Sequence, residues 1–108
     1  MPQLIIRGMK KECIQAISKT MVDELTNIIG CPRDYFTIEF LETCFIKDGL
    51  EVTGSPLIQV NWFDRGQTIQ DAAAQAIDRA VRSAGYEQIE IFFVVLNETK
   101  YYENGIHY

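Results

Sequence analysis

Hydrophobic positions in this chain follow two alternating spacings. Leu4-Ile5-Ile6-Arg7 is a short apolar run stopped by Gly8, which predicts a strand. From Met9 the apolar positions Ile14, Ile17, Met21, Leu25 and Ile28 recur three or four residues apart. That spacing places them on one stripe of a helix, with Lys11, Gln15, Lys19, Asp23 and Asn27 away from it. Gly30 and Pro32 end the helix. Tyr35 to Leu41 is β-branched and aromatic, and predicts a long strand continuing to Phe45 and Ile46. Lys47 to Pro56, with Asp48-Gly49 and Gly54-Ser55-Pro56, reads as turn and loop.

The same succession then returns. Leu57 to Phe63 predicts a strand, and Asp64-Arg65-Gly66 a turn. Thr68, with Asp71 three residues on, predicts a helix N-cap and an acidic first turn. Ile69, Ala73, Ala76, Ala80 and Ala84 line one helical face, and Gly85 ends the helix. Ile89 to Leu96 is the last predicted strand, and the tail runs from 97 to 108. Leu4 maps onto Leu57 and Phe36 onto Ile89, so the repeat is one of architecture with little residue identity. The expectation is a single α+β domain over 1–108, made of βαβ units at 3–46 and 57–96. Each unit forms a right-handed crossover between parallel strands, giving a four-stranded sheet with two helices on one face.

Such a sheet has a second face. Phe92, Val94 and Leu96 on the last strand, and Tyr35, Leu41 and Phe45 on the second, point away from the face the helices cover. A contiguous apolar patch left in water is uncommon on monomers, so the pattern predicts burial against further copies of the chain, or against the folded-back tail.

Charge and composition narrow the chemistry. Ten Lys and Arg against fifteen Asp and Glu give a net charge of −5, which argues against nucleic acid and acidic membranes as partners. No apolar run approaches the roughly 20 residues of a membrane span. Met1-Pro2-Gln3 lacks the basic and apolar regions of a signal peptide, so a cytoplasmic protein is expected. One His rules out a multi-His metal site, and Cys13, Cys31 and Cys44 contain no CxxC, so reduced thiols and no metal are expected. Phosphate loops, Ser-His-Asp arrangements and HExxH are absent.

Pro2 directly follows the initiator Met. Removal of Met1 would leave a secondary amine. Burial beside a cation lowers such an amine's affinity for protons, which suits a neutral base for abstraction next to a carbonyl. If Met1 is retained, the Pro2 nitrogen is an amide and carries no such chemistry.

Met1-Pro2 leading straight into a strand, followed by two βαβ units, resembles the tautomerase superfamily, which includes macrophage migration inhibitory factor and the 4-oxalocrotonate tautomerase type. Gly30-Cys31-Pro32-Arg33-Asp34-Tyr35 resembles the helix-to-strand joint of its long-chain members. Trp62-Phe63-Asp64-Arg65-Gly66 and Tyr101-Tyr102-Glu103-Asn104-Gly105 resemble an uncharacterised bacterial family within it. The resemblance implies a homotrimer with a central channel, intersubunit pockets, Pro2 at the bottom of each, and no cofactor. Position by position, only Pro2 carries over. Cys31 stands where a pocket Lys is expected, Glu90 and Phe92 where a neighbour's Tyr and Asn would be, and Trp62 where an Ile backbone N–H lines the pocket.

The expected activity is tautomerase or isomerase-type proton transfer on a small 2-oxo or enol acid, with Pro2 as base. Arg65, in the turn after the third strand, can clamp the substrate carboxylate with its planar fork, or pair with Asp64 or Glu90. Arg7 can reach a ligand or pair with Glu39. Trp62 and Phe63 are pocket-wall or core residues, and Tyr101, Tyr102 and His107 offer polar tips to a ligand or pack on a neighbour. Two other outcomes stay open. One is a non-catalytic ligand-binding oligomer that keeps Met1. The other is an ordinary ferredoxin-like domain, which parallel pairing of the first two strands would exclude.

Overall fold

The computed structural model describes residues 2–108; Met1, and with it the question of its removal, lies outside the described residues. Strand β1 (Gln3–Arg7) leads into helix α1 (Lys11–Ile29) and strand β2 (Thr37–Phe40). Short strands β3 (Phe45–Lys47) and β4 (Leu50–Val52) follow. Strand β5 (Leu57–Trp62), helix α2 (Gln67–Ser83) and strand β6 (Glu90–Val95) form the second unit, and β7 (Tyr102–Glu103) and β8 (Ile106–His107) close the chain.

The main sheet has the order β2-β1-β5-β6. Pairing is parallel for β1 with β2 and for β5 with β6, and antiparallel where β1 meets β5. Two βαβ units are thus joined head to tail at a central seam. Parallel pairing of the first two strands excludes the ordinary ferredoxin-like arrangement. The molecule is α+β, as the hydrophobic spacing predicts.

Alternation on the central strands decides which side chains enter the core. Leu4 and Ile6 on β1, and Ile58, Val60 and Trp62 on β5, are fully buried beneath the helices. Helix α1 contributes Ile14, Ile17, Met21 and Leu25, and α2 contributes Ala73, Ala76, Ile77 and Val81. The small residues of α2 let it approach the sheet closely. Gly30 caps α1 in the left-handed conformation at φ 80°, its N–H donating to the Thr26 carbonyl at 2.9 Å.

Several local expectations need correction. The second strand ends at Phe40 and does not run on to Ile46. Residues 45–52 instead form the β3–β4 hairpin, turned by Asp48 and Gly49 at φ 52° and 78°. Positive φ at both central residues is the mirror-image turn that matches strand twist, and Asp-Gly suits it. The tail folds the same way: Asn104 and Gly105, at φ 54° and 82°, turn the β7–β8 hairpin. Thr68 is not the N-cap of α2. Gly66 holds that position at φ 89°, and the first turn carries no acidic residue. Asp64 Oδ1 accepts the Gly66 N–H at 2.9 Å, so the preceding turn organises the helix start. The open sheet face is less apolar than its edge strands suggest. Phe92 and Val94 are exposed there, but the central strands present the amides Gln3, Gln59 and Asn61.

Candidate functional site

Proline at the head of a strand costs no ladder hydrogen bond, because its missing N–H would fall outside the pairing. Pro2 occupies that position before β1 and is fully buried. Its carbonyl accepts the Thr37 N–H at 3.2 Å, which locks it to the start of β2. On the other side, one step beyond the Gln3–Asn61 pair, stands Trp62 at the end of β5.

Trp62 is fully buried under the helices, its ring 4.9 Å from that of Phe93. Its indole nitrogen is buried without a hydrogen-bond partner among the described residues. Arg65 lies over the same ring, with its guanidinium carbon 5.6 Å from the centroid, a cation–π arrangement. Arg65 Nη1 donates to the Phe63 carbonyl at 2.5 Å. Among the described residues Arg65 forms no ion pair with Asp64 or Glu90. One of its five donors is thereby occupied and the rest of the fork remains available.

The tail completes this corner of the sheet. Phe63, Tyr101 and Tyr108 form a three-ring cluster, with Tyr101 edge-on to Phe63 at 5.7 Å and Tyr108 at 5.2 Å from Phe63. Gln3 Nε2 donates to the Tyr101 hydroxyl at 2.7 Å, so the residue after Pro2 anchors the tail. The Tyr108 hydroxyl donates to Glu103 Oε2 at 2.8 Å. That bond to a carboxylate, with desolvation second, pushes the Tyr108 phenol up to about 12. Beside these residues is an open cavity of about 580 Å³ lined by Asp34, Tyr35, Glu103, Ile106, His107 and Tyr108.

The predicted residues thus fall into separate groups. Trp62, Phe63, Arg65 and Tyr101 are linked to one another at the end of β5, and Pro2 lies opposite Trp62 across the β1–β5 pairing. His107 lines the cavity, where its Nδ1 lies 2.9 Å from the Tyr108 carbonyl. Tyr102, edge-on to His107 at 6.0 Å, points outward and is 61 % exposed. Arg7 sits at the far end of β1, about 16 Å from Pro2 at roughly 3.3 Å per strand residue. Glu39 is paired in register with Ile5, Arg7 forms no ion pair with it, and Arg7 Nε is buried without a partner among the described residues.

Sequence reading missed Gln3, Asp34, Tyr35, Glu103 and Tyr108. The Asn104-Gly105 turn was the available signal. A hairpin there folds the tail so that Glu103 and Tyr108 come together, with the 33–35 turn across the cavity.

The family model described as Domain of unknown function (DUF1904) matches residues 1–107. No curated protein matches the sequence. A solved DUF1904 structure from Sebaldella termitidis is 37% identical over 100% of both chains, with a TM-score of 0.94. A macrophage migration inhibitory factor-like protein from Entamoeba histolytica is 15% identical, covers 99% of this chain and 98% of its own, and has a TM-score of 0.73. The protein Pt0534, solved after inactivation by 2-oxo-3-pentynoate, is 13% identical over 98% of this chain and 94% of its own, with a TM-score of 0.78. A fused 4-OT symmetric trimer is 21% identical over 98% and 94%, at a TM-score of 0.76. At these lower identities the likeness is one of fold, and that fold is tautomerase-like.

Proposed function

Because the chain belongs to the DUF1904 family and carries a tautomerase-like fold, we propose that it catalyses cofactor-independent proton transfer on a small 2-oxo or enol acid, with Pro2 as the base. The observation that carries this reading is the placement of Pro2. It is fully buried at the head of a central strand, opposite Trp62, whose ring Arg65 covers, and the residue after it bonds the Tyr101 hydroxyl. Burial disfavours the charged form of an amine, so a freed Pro2 nitrogen is held as a neutral base.

In this mechanism Pro2 takes a proton from the carbon next to the carbonyl. The C–H electron pair becomes the enol double bond and the carbonyl π pair moves to oxygen. The proton then returns from Pro2 to carbon or passes to oxygen, so nothing is consumed. The free donors of Arg65 hold the carboxylate. Copies associate as a homotrimer through the open sheet face, where Phe92 and Val94 are exposed, and close each pocket. A trimeric fused 4-OT protein of the same fold supports that assembly.

The test begins with the intact mass of protein from its native host. Loss of one Met is expected. A retained Met1 overturns catalysis by Pro2 and leaves a ligand-binding oligomer. Solvent-deuterium exchange into phenylpyruvate is then compared in wild type and Pro2→Ala, and equal rates remove Pro2 from the mechanism. Incubation with 2-oxo-3-pentynoate gives a third reading. The Pro2 lone pair adds to the alkyne carbon distal to the ketone, and a proton is taken up at the proximal carbon. The expected mass gain is one whole reagent per chain, absent when Met1 is present.

A further inference from the structure

The open sheet face carries a line of amides that all donate in one direction. Gln59 Nε2 donates to Asn61 Oδ1 at 2.8 Å, Asn61 Nδ2 to Gln3 Oε1 at 3.3 Å, and Gln3 Nε2 to the Tyr101 hydroxyl at 2.7 Å. Alternation along β1 and β5 puts these three amides on the same face, and the antiparallel register sets Gln3 opposite Asn61. All three are half-buried, so their bonds are partly shielded from water.

This direction has a chemical consequence. A phenol that accepts a hydrogen bond on oxygen keeps its own proton for a different partner. Among the described residues no acceptor takes the Tyr101 proton, whereas Tyr108 commits its proton to Glu103. Successive bonds of one polarity reinforce each other, so the last member is the strongest donor in the line. The Tyr101 ring is held on its other side by Phe63, the residue after Trp62, and Trp62 stands opposite Pro2. The hydroxyl is therefore bonded to the residue that follows Pro2 at the head of β1.

We propose that Tyr101 is the donor that holds the oxygen of the enolising carbonyl, and that Gln3, aligned by Asn61 and Gln59, is the positioning residue that keeps the Tyr101 proton available. This rests on the reading of Pro2 as the base. While the proton rides on the Pro2 nitrogen, negative charge gathers on the substrate oxygen. A preset donor stabilises that charge without reorganising.

The test uses four full-length proteins: wild type, Tyr101→Phe, Gln3→Glu and Gln3→Leu. Deuterium exchange into phenylpyruvate is measured as kcat and KM. Tyr101→Phe loses about 100-fold or more in kcat with KM little changed, as removal of one oxyanion donor does. Gln3→Glu loses as much, because its carboxylate accepts the Tyr101 proton and withdraws it. Gln3→Leu, which only removes the aligning bond, loses less, about tenfold, the size of one modest hydrogen bond. A packing role reverses this order, since Glu is the near-isostere of Gln, and that order overturns the proposal. Full activity in Tyr101→Phe also overturns it, while the Pro2 reading stands.

A second measurement is independent of turnover. The Tyr101 ring-carbon resonance is followed in tyrosine-labelled protein as phenylpyruvate is added. A shift in wild type that is absent in Gln3→Glu supports the assignment. If that shift occurs and no protein exchanges deuterium, the Pro2 reading falls and the enolate-holding role of Tyr101 falls with it, leaving Tyr101 as a ligand contact only. If neither shift nor exchange occurs, both are overturned.

Discussion

The two βαβ units hold a proline at the same place. Pro2 precedes β1 and accepts the N–H of Thr37, the first residue of β2; Pro56 precedes β5 and accepts the N–H of Glu90, the first residue of β6. Both prolines are buried. Each unit also ends in a hairpin turned by an Asx-Gly pair, Asp48-Gly49 in one and Asn104-Gly105 in the other. The scaffold is therefore repeated down to its turn chemistry. What differs is what surrounds each proline. The Pro56 nitrogen is acylated by Ser55, and Gly8, packed against Ser55 and Pro56, separates it from a cavity of about 220 Å³ lined by the β3–β4 hairpin. Pro2 instead lies opposite Trp62, next to which Phe63, Arg65, Tyr101 and Tyr108 cluster. The comparison teaches that the fold supplies two equivalent corners, and that side chains and one peptide bond separate a candidate site from a structural one.

The sharpest way to break this comparison is to swap the prolines' roles. Pro2→Ala is expected to lower deuterium exchange by about 10²- to 10⁴-fold, the worth of a positioned base. Pro56→Ala should leave the exchange rate unchanged even where it lowers thermal stability. Equal losses from both would mean that the prolines act only through the fold.

The hairpins give the next contrast. Phe63→Ala removes the buried ring to which the tail is docked, and should cost about 3–5 kcal/mol in urea unfolding. Leu50→Ala, 69 % exposed in the β3–β4 hairpin, should fall within about 0.5 kcal/mol. A large effect at Leu50 would show that its hairpin is buried by another copy of the chain.

Gly8 tests the Pro56 corner. It has φ 82°, and a Cβ there would run into the Ser55 carbonyl. Gly8→Ala should cost more than the roughly 1–2 kcal/mol of the left-handed conformation alone. Gly30→Ala, with the same sign of φ and open space around it, should cost only that strain.

The smallest effect is in pH dependence. Tyr108 titrates near 12 folded against 10 in the ordinary case, because Glu103 accepts its proton. Its contribution to stability is fully present below pH 10 and is lost as pH rises from 10 to 12. Phenolate absorbance against pH should show this high titration, and Glu103→Gln should return it toward 10.

Much of the scaffold was legible because its signals are periodic. The stripe from Ile14 to Leu25 and the alternation at Ile58, Val60 and Trp62 specify their faces directly. The hairpin turns are also written in the sequence, as Asp48-Gly49 and Asn104-Gly105, but the strands they join are only two or three residues long and leave no alternating pattern to read. Thr68 and Asp71 satisfy a capping pattern, but the turn stabilised by Asp64 sets the cap at Gly66 and begins the helix two residues earlier. The site was harder to read, since Gln3 and Tyr101 meet across 98 positions of chain and neither has a local signature. Pro2 was found because its chemistry depends on a neighbour in sequence.

Trp62 is the chain's single tryptophan, and it lies between the core ring of Phe93 and the cation of Arg65. The protein therefore contains one indole fluorophore, set at the corner where Pro2 lies. Its emission reports loss of the core when the protein is denatured, and would report displacement of Arg65 from the ring if the proposed carboxylate binding takes place. Global melting and local occupancy can thus be followed in one unlabelled sample.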